Sequence, residues 1–226
     1  MKRLFAGLFG VIALTDVVHA QAQSQAPVAV VEDVQGKVTG AEFMDYVVPG
    51  QVIKLGPGGM VVLGYMKSCW HETISGIGTV IVGTEQSSVH LADFKAGKVP
   101  CDPSQAEKIG REVGESAATV VRSLKEDTPP SAQPLVLHGL SPIVATSGRG
   151  KLVVERLDVK GERYDVNLSP ATTTHGKFYD FANTRIALKP GGRYSATSNS
   201  KQVVFRIDTD ATPGAGPIIG RLVTLQ

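Results

Sequence analysis

At 226 residues, 42% hydrophobic and 19% charged with a formal net charge of +2, the chain has the balance of a globular protein, enough for one large domain or two small ones. Nucleic-acid binders need a basic face to displace counterions, and here no Lys/Arg run exceeds two residues, so a nucleic-acid partner is not expected.

Residues 1–22 carry the three parts of a secretion signal: Lys2 and Arg3, an apolar run over residues 4–14, and the small-residue exit Ala20-Gln21-Ala22. A membrane anchor is the rival reading, but the run falls short of the roughly 20 residues that span a bilayer, and Asp16 breaks its continuation toward Val17 and Val18. Cleavage would leave an exported chain with no transmembrane segment, and the expected compartment is the periplasm. No cysteine near the exit suggests a lipid anchor.

From residue 27 to residue 100 short valine-rich runs are punctuated by glycine. Runs at residues 28–31, 52–55, 60–65, 79–82 and 88–91 are too short for helices and read as strands. A Gly-x-Val echo recurs at Gly36, Gly50, Gly59, Gly78 and Gly97, the grammar of a turn leading into a strand, at spacings too irregular for a repeat array. Cys69 and Cys101 are the only cysteines, and in an oxidising compartment two isolated cysteines pair. They lack the C-x-x-C spacing of a redox or metal site.

Residues 104–126 change period: Ala106, Ile109, Val113, Ala117, Val120 and Leu124 recur at steps of three and four, one apolar face of an amphipathic helix. Ser104 with Glu107 reads as its capping box. Such a face packs on its own β-domain or, with Gly110 and Gly114 permitting close approach, on a partner. Residues 127–134 form a proline-rich linker and the expected domain boundary, separating a β-domain at 27–103 from a second at 135–226.

That second part alternates. Tyr164, Val166 and Leu168 share a face, as do Ile186 with Leu188, and Val203, Phe205 and Ile207. Turn signals at Ser147-Gly148-Arg149-Gly150, Lys160-Gly161, Lys189-Pro190-Gly191-Gly192 and Ser198-Asn199 separate the runs, the spacing of a small antiparallel β-sandwich.

Two motif sets carry resemblances. Val28 to Val89 resembles the FecR-like domain of Gram-negative envelope proteins, on Gly36-Lys37-Val38, Pro49-Gly50-Gln51, Ile53-Lys54-Leu55-Gly56-Pro57-Gly58-Gly59-Met60-Val61-Val62-Leu63-Gly64-Tyr65 and Gly76-Ile77-Gly78-Thr79-Val80-Ile81-Val82-Gly83. The resemblance implies a compact all-β periplasmic module used for contact, and its short soluble members carry a Cys pair matching Cys69 and Cys101. The spanning helix and anti-sigma segment of the signalling members have no counterpart here, so that role is not implied. Leu188-Lys189-Pro190-Gly191-Gly192-Arg193-Tyr194 is similar to the tyrosine corner of immunoglobulin and fibronectin type III-like sandwiches, which implies that the Tyr194 hydroxyl bonds back to the turn backbone.

No catalytic constellation stands out. His71, His90, His138 and His175 are scattered, His71-Glu72 lacks the second His of a zincin helix, and Gly148-Arg149-Gly150-Lys151 lacks the spacing of a phosphate loop. No metal ligand, cofactor or catalytic residue is assigned. Trp70, Phe178, Tyr179 and Phe181 are the candidate binding residues, because three aromatics in the four residues from Phe178 cannot share one face of a strand, and at least one is expected to be exposed or in a loop. The expected protein is a mainly β, non-enzymatic periplasmic interaction protein whose partner is an envelope protein or a cell-wall component. The alternative is a small-ligand or glycan binder using the aromatic segment.

Overall fold

A computed structural model describes residues 25–115 and 134–225. The expected leader, the helix beyond residue 115 and residues 127–133 of the linker lie outside the described residues. The chain is mainly β, and among the described residues no helix is long and apolar enough to cross a membrane.

The first half folds as nine strands: β1 (Ala29–Gln35), β2 (Val38–Thr39), β3 (Tyr46–Val47), β4 (Val52–Leu55), β5 (Met60–Tyr65), β6 (Trp70–Ser75), β7 (Gly78–Ile81), β8 (Ser88–His90) and β9 (Asp93–Lys98). They form two antiparallel sheets, β3-β1-β5-β6-β9 and β2-β4-β7-β8. Ile53, Leu63, Tyr65, Ile74 and Val80 are buried in one cluster, as alternate residues facing inward require. Gly36 has φ +64°, and a Cβ there would overlap the Gly58 carbonyl, so two glycine turns close on each other.

Cys69 and Cys101 form the expected disulfide, with Cα atoms 5.6 Å apart. It joins the start of β6 to the end of β9, then hands the chain to helix α1 (Ser104–Glu115). The side chain that caps this helix is not Ser104 but Asp102: its Oδ1 accepts the Ser104 N–H at 2.9 Å while its Oδ2 accepts the Val136 N–H at 2.8 Å. One carboxylate thus starts the helix and fixes the first strand of the second half.

That half comprises β10 (Leu135–Gly139), β11 (Ile143–Ala145), β12 (Gly150–Arg156), β13 (Arg163–Leu168), β14 (Phe178–Asp180), β15 (Arg193–Ser198), β16 (Lys201–Thr212), a 3₁₀ turn (Ile218–Gly220) and β17 (Leu222–Thr224). Sheet β10-β16-β15-β12-β13 faces sheet β14-β11-β17 over Leu152, Phe181, Tyr194, Phe205 and Ile207. The sandwich is not purely antiparallel as expected: β10 runs parallel to β16, and β11 parallel to β17. The first run divides between the two sheets, and the chain after β16 changes sheets to form β17. Alternation reports which face a residue takes, not strand direction.

A third core joins the halves. Val30, Met44, Met66 and Ile109 pack with Ile143, Phe178, Ile218 and Leu222. Ile109 is buried there, and the Gln105 amide donates to the Leu222 carbonyl, so the described part of α1 packs within its own chain.

Candidate interaction site

Among the described residues strand β13 ends its sheet, pairing with β12 alone. The Arg156 N–H donates to the Glu162 carbonyl at 2.9 Å, which sets the ladder parity: Tyr164 and Val166 bond to β12, while the backbone groups of Arg163 and Asp165 point away from it. Beside this edge opens a groove of about 770 Å³, lined by residues 163–167 on one wall and by residues 171–174, Tyr179, Asn183, Thr184 and Ile186 on the other.

Local chemistry shapes both walls. Tyr164, Val166 and Ile186 are half-buried against the sandwich core, so the groove floor is apolar. Thr172 folds the 169–174 turn onto the strand end: its hydroxyl donates to the Asn167 carbonyl at 3.2 Å and accepts the Ser169 N–H at 2.9 Å. On the outer face Arg163 pairs with Glu155 and Asp165 at 3.2 Å each, and Lys151 with Asp165 at 3.0 Å. Hydrogen bonding from Arg163, then Lys151, holds the Asp165 carboxyl below its usual range. The lining offers hydroxyls, amides and a free backbone edge, but no His, Cys or Lys. Such an edge can recognise an extended chain or a polar ligand.

The candidate aromatics do not form an exposed platform; the expected departure from a single strand face is met by the turn that holds Phe181, while all three rings are buried. Phe178, Tyr179 and Phe181 are 7%, 5% and 0% exposed. Strand β14 lies between two cores: Phe178 packs in the junction, edge-on to Tyr46, while Tyr179 and Phe181 meet edge to face in the sandwich at 5.1 Å. Opposite faces are both buried, and Phe181 comes next in a turn. Only Tyr179 reaches the groove, its hydroxyl 3.5 Å from the Thr184 hydroxyl. Trp70 lies far along the chain in β6, half-buried under the Lys98 ammonium, which sits 4.8 Å from the ring centroid.

Sequence reading missed the polar junction. Glu32 in β1 is buried, and its carboxylate accepts the N–H groups of Ile218 at 2.8 Å and Ile219 at 2.9 Å, the start of the 3₁₀ turn. His71 Nε2 stands 3.2 Å from the same carboxylate, whose hydrogen bond raises the His71 pKa. Gly64 makes the room: a Cβ there would overlap Glu32 Oε1 and come within 2.6 Å of Ile219 Cγ2. Arg221, also buried, grips Asp180 with two bonds at 2.7 and 3.1 Å and donates to the Ser141 carbonyl at 2.9 Å. It lines a second cavity of about 410 Å³ with His138 and Asp208, which approach to 3.8 Å. His71 apart, no short motif marks these residues: Glu32 sits beside Asp33, and Asp180 and Arg221 stand singly among uncharged neighbours.

The tyrosine corner forms as the motif implies. The Tyr194 hydroxyl accepts the Lys189 N–H at 2.9 Å and donates to Glu162 Oε1 at 2.7 Å. Among the described residues no group of three or more His, Cys, Asp or Glu is placed to hold a metal ion. Compared with protein-family models, curated proteins and solved structures, the chain matches none.

Proposed function

We propose that this is an exported, non-enzymatic interaction protein of the bacterial cell envelope, acting in the periplasm and binding an extended segment of an envelope protein along β13. The groove beside an unpaired strand edge, with an apolar floor and outward backbone groups at Arg163 and Asp165, is the observation that carries the reading. The leader pattern at residues 1–22 and the resemblance of residues 28–89 to FecR-like modules support the compartment and the role. A strand added here would set alternate apolar side chains over Tyr164, Val166 and Ile186.

The test is selection of displayed peptides on the exported chain, residues 23–226, and then binding to Val166→Lys and Asp165→Pro variants. Peptides of alternating apolar and polar residues should emerge, and both variants should lose them, Asp165→Pro at its exposed position while keeping the thermal midpoint. Selection of no such pattern, or binding indifferent to both variants, would overturn the reading. A second reading, a cell-wall glycan in the same groove, draws on the hydroxyls and amides of Thr172, Thr173, Asn167 and Asn183. With the aromatic rings buried, it would rest on hydrogen bonds rather than on ring stacking.

A further inference from the structure

A second strand at the end of its sheet is β9. Among the described residues it pairs only with β6, and all six of its residues are exposed. Around it stand three exposed large apolar side chains: Leu91 at 96%, Ile77 at 63% and Phe94 at 40%. Leu91 sits at φ +69°, a conformation that bulky residues rarely adopt, in the turn that leads into the strand. Soluble proteins generally cover, charge or bend such an edge, because its free N–H and C=O groups template another strand.

Ladder parity decides what this edge can pair with. The Val99 N–H donates to the Cys69 carbonyl at 3.0 Å, so in register the backbone groups of Asp93, Lys95 and Gly97 turn toward β6. Those of Phe94, Ala96 and Lys98 face outward. We propose that β9 is a self-association edge, taken by β9 of a second copy in antiparallel pairing about a two-fold axis at Phe94.

Charge complementarity selects both the occupant and the register. Centred on Phe94, the pairing sets Asp93 opposite Lys95 of the second copy, and Lys95 opposite its Asp93. The two Phe94 rings meet on the axis, and Ala92 lies opposite Ala96. Moving the axis to Lys95 sets the two lysines directly opposite each other, which is destabilising. Moving it to Ala96 forms no ion pair and carries Leu91 out of the overlap. The strand is thus complementary to itself in one register, as an isologous contact requires. The contact is independent of the β13 groove, which lies in the other half.

Sedimentation of the exported chain, residues 23–226, across a concentration series tests this directly. A reversible dimer is expected. Ala96→Pro removes an outward N–H without touching the β6 ladder, and Phe94→Lys sets like charges on the axis; each should weaken the dimer at least about tenfold with an unchanged thermal midpoint. Asp93→Lys alone and Lys95→Asp alone should each also weaken it, whereas the double reversal Asp93→Lys with Lys95→Asp should restore it. A monomer at every concentration, a dimer indifferent to Ala96→Pro, or a double reversal that fails to restore association would overturn the proposal.

Discussion

The two module cores and the junction between them are built in opposite ways. Each core is mainly a layer of aliphatic and aromatic residues between two sheets, with Glu72 the buried charge of the first module, whereas the junction combines an apolar cluster with buried Glu32, Gln105 and Arg221. An apolar core tolerates rearrangement of similar volume, but a buried carboxylate or guanidinium is held only where its partners stand. The junction is therefore the more specific contact, fixing one arrangement of the halves, while the cores provide most of the buried apolar surface.

Glu32→Ala breaks that contrast most directly. It strands the Ile218 and Ile219 N–H groups and leaves His71 without its carboxylate, so chemical denaturation should show a loss of about 3–5 kcal/mol. Gly64→Ala should act in the same direction by driving a Cβ into the Glu32 carboxylate. If either variant unfolds with unchanged stability, the junction is not what its hydrogen bonds suggest.

Next in size is the disulfide, which ties β6 to the end of β9 and packs Cys101 at the rim of the junction. Cys69→Ser with Cys101→Ser opens a closure of 32 residues and should cost about 3–4 kcal/mol on the chain-entropy estimate. Its effect should add to that of Glu32→Ala if module and junction are energetically separate, which a double-mutant cycle measures. Smaller again is Tyr194→Phe in the sandwich, where the hydroxyl bonds of the corner to Lys189 and Glu162 are lost; about 2 kcal/mol is expected from thermal or denaturant unfolding.

Legibility in the sequence divides the molecule along the same line. Residues 52–55 and 60–65 match β4 and β5, and Val203, Phe205 and Ile207 all point into the sandwich, because alternation and glycine turns are local signals. Strands β6 and β9 escaped, since Trp70–Ser75 and Asp93–Lys98 carry polar residues where a strand pattern expects apolar ones. In the candidate site, Tyr164 and Val166 were legible as one face, but the groove depends on which strand lies at the edge, a property of topology. The aromatic segment was legible in part: three rings could not share one strand face, as the turn at Phe181 bears out, but the burial of both faces of β14 depends on the junction. Glu32 was illegible because its partners are backbone groups nearly two hundred positions away.

The smallest expected effect distinguishes the junction by its response to pH. Hydrogen bonding to Glu32 raises the pKa of His71 above 6.5, and burial opposes this only in part. The folded protein therefore holds a proton that the unfolded chain releases between the ordinary and the raised value. Stability from this pair is complete below the ordinary histidine pKa and is lost as pH rises through the raised one. Burial also raises the pKa of Glu72, giving a loss of the same sign but in the carboxylate range, which Glu72→Gln removes. Thermal midpoints from about pH 5.5 to about pH 8.5 should fall with rising pH in the native chain and in Glu72→Gln, and flatten in His71→Gln. Persistence of the slope in His71→Gln would separate the pH response from the Glu32 contact and leave the junction held by the two backbone N–H bonds alone.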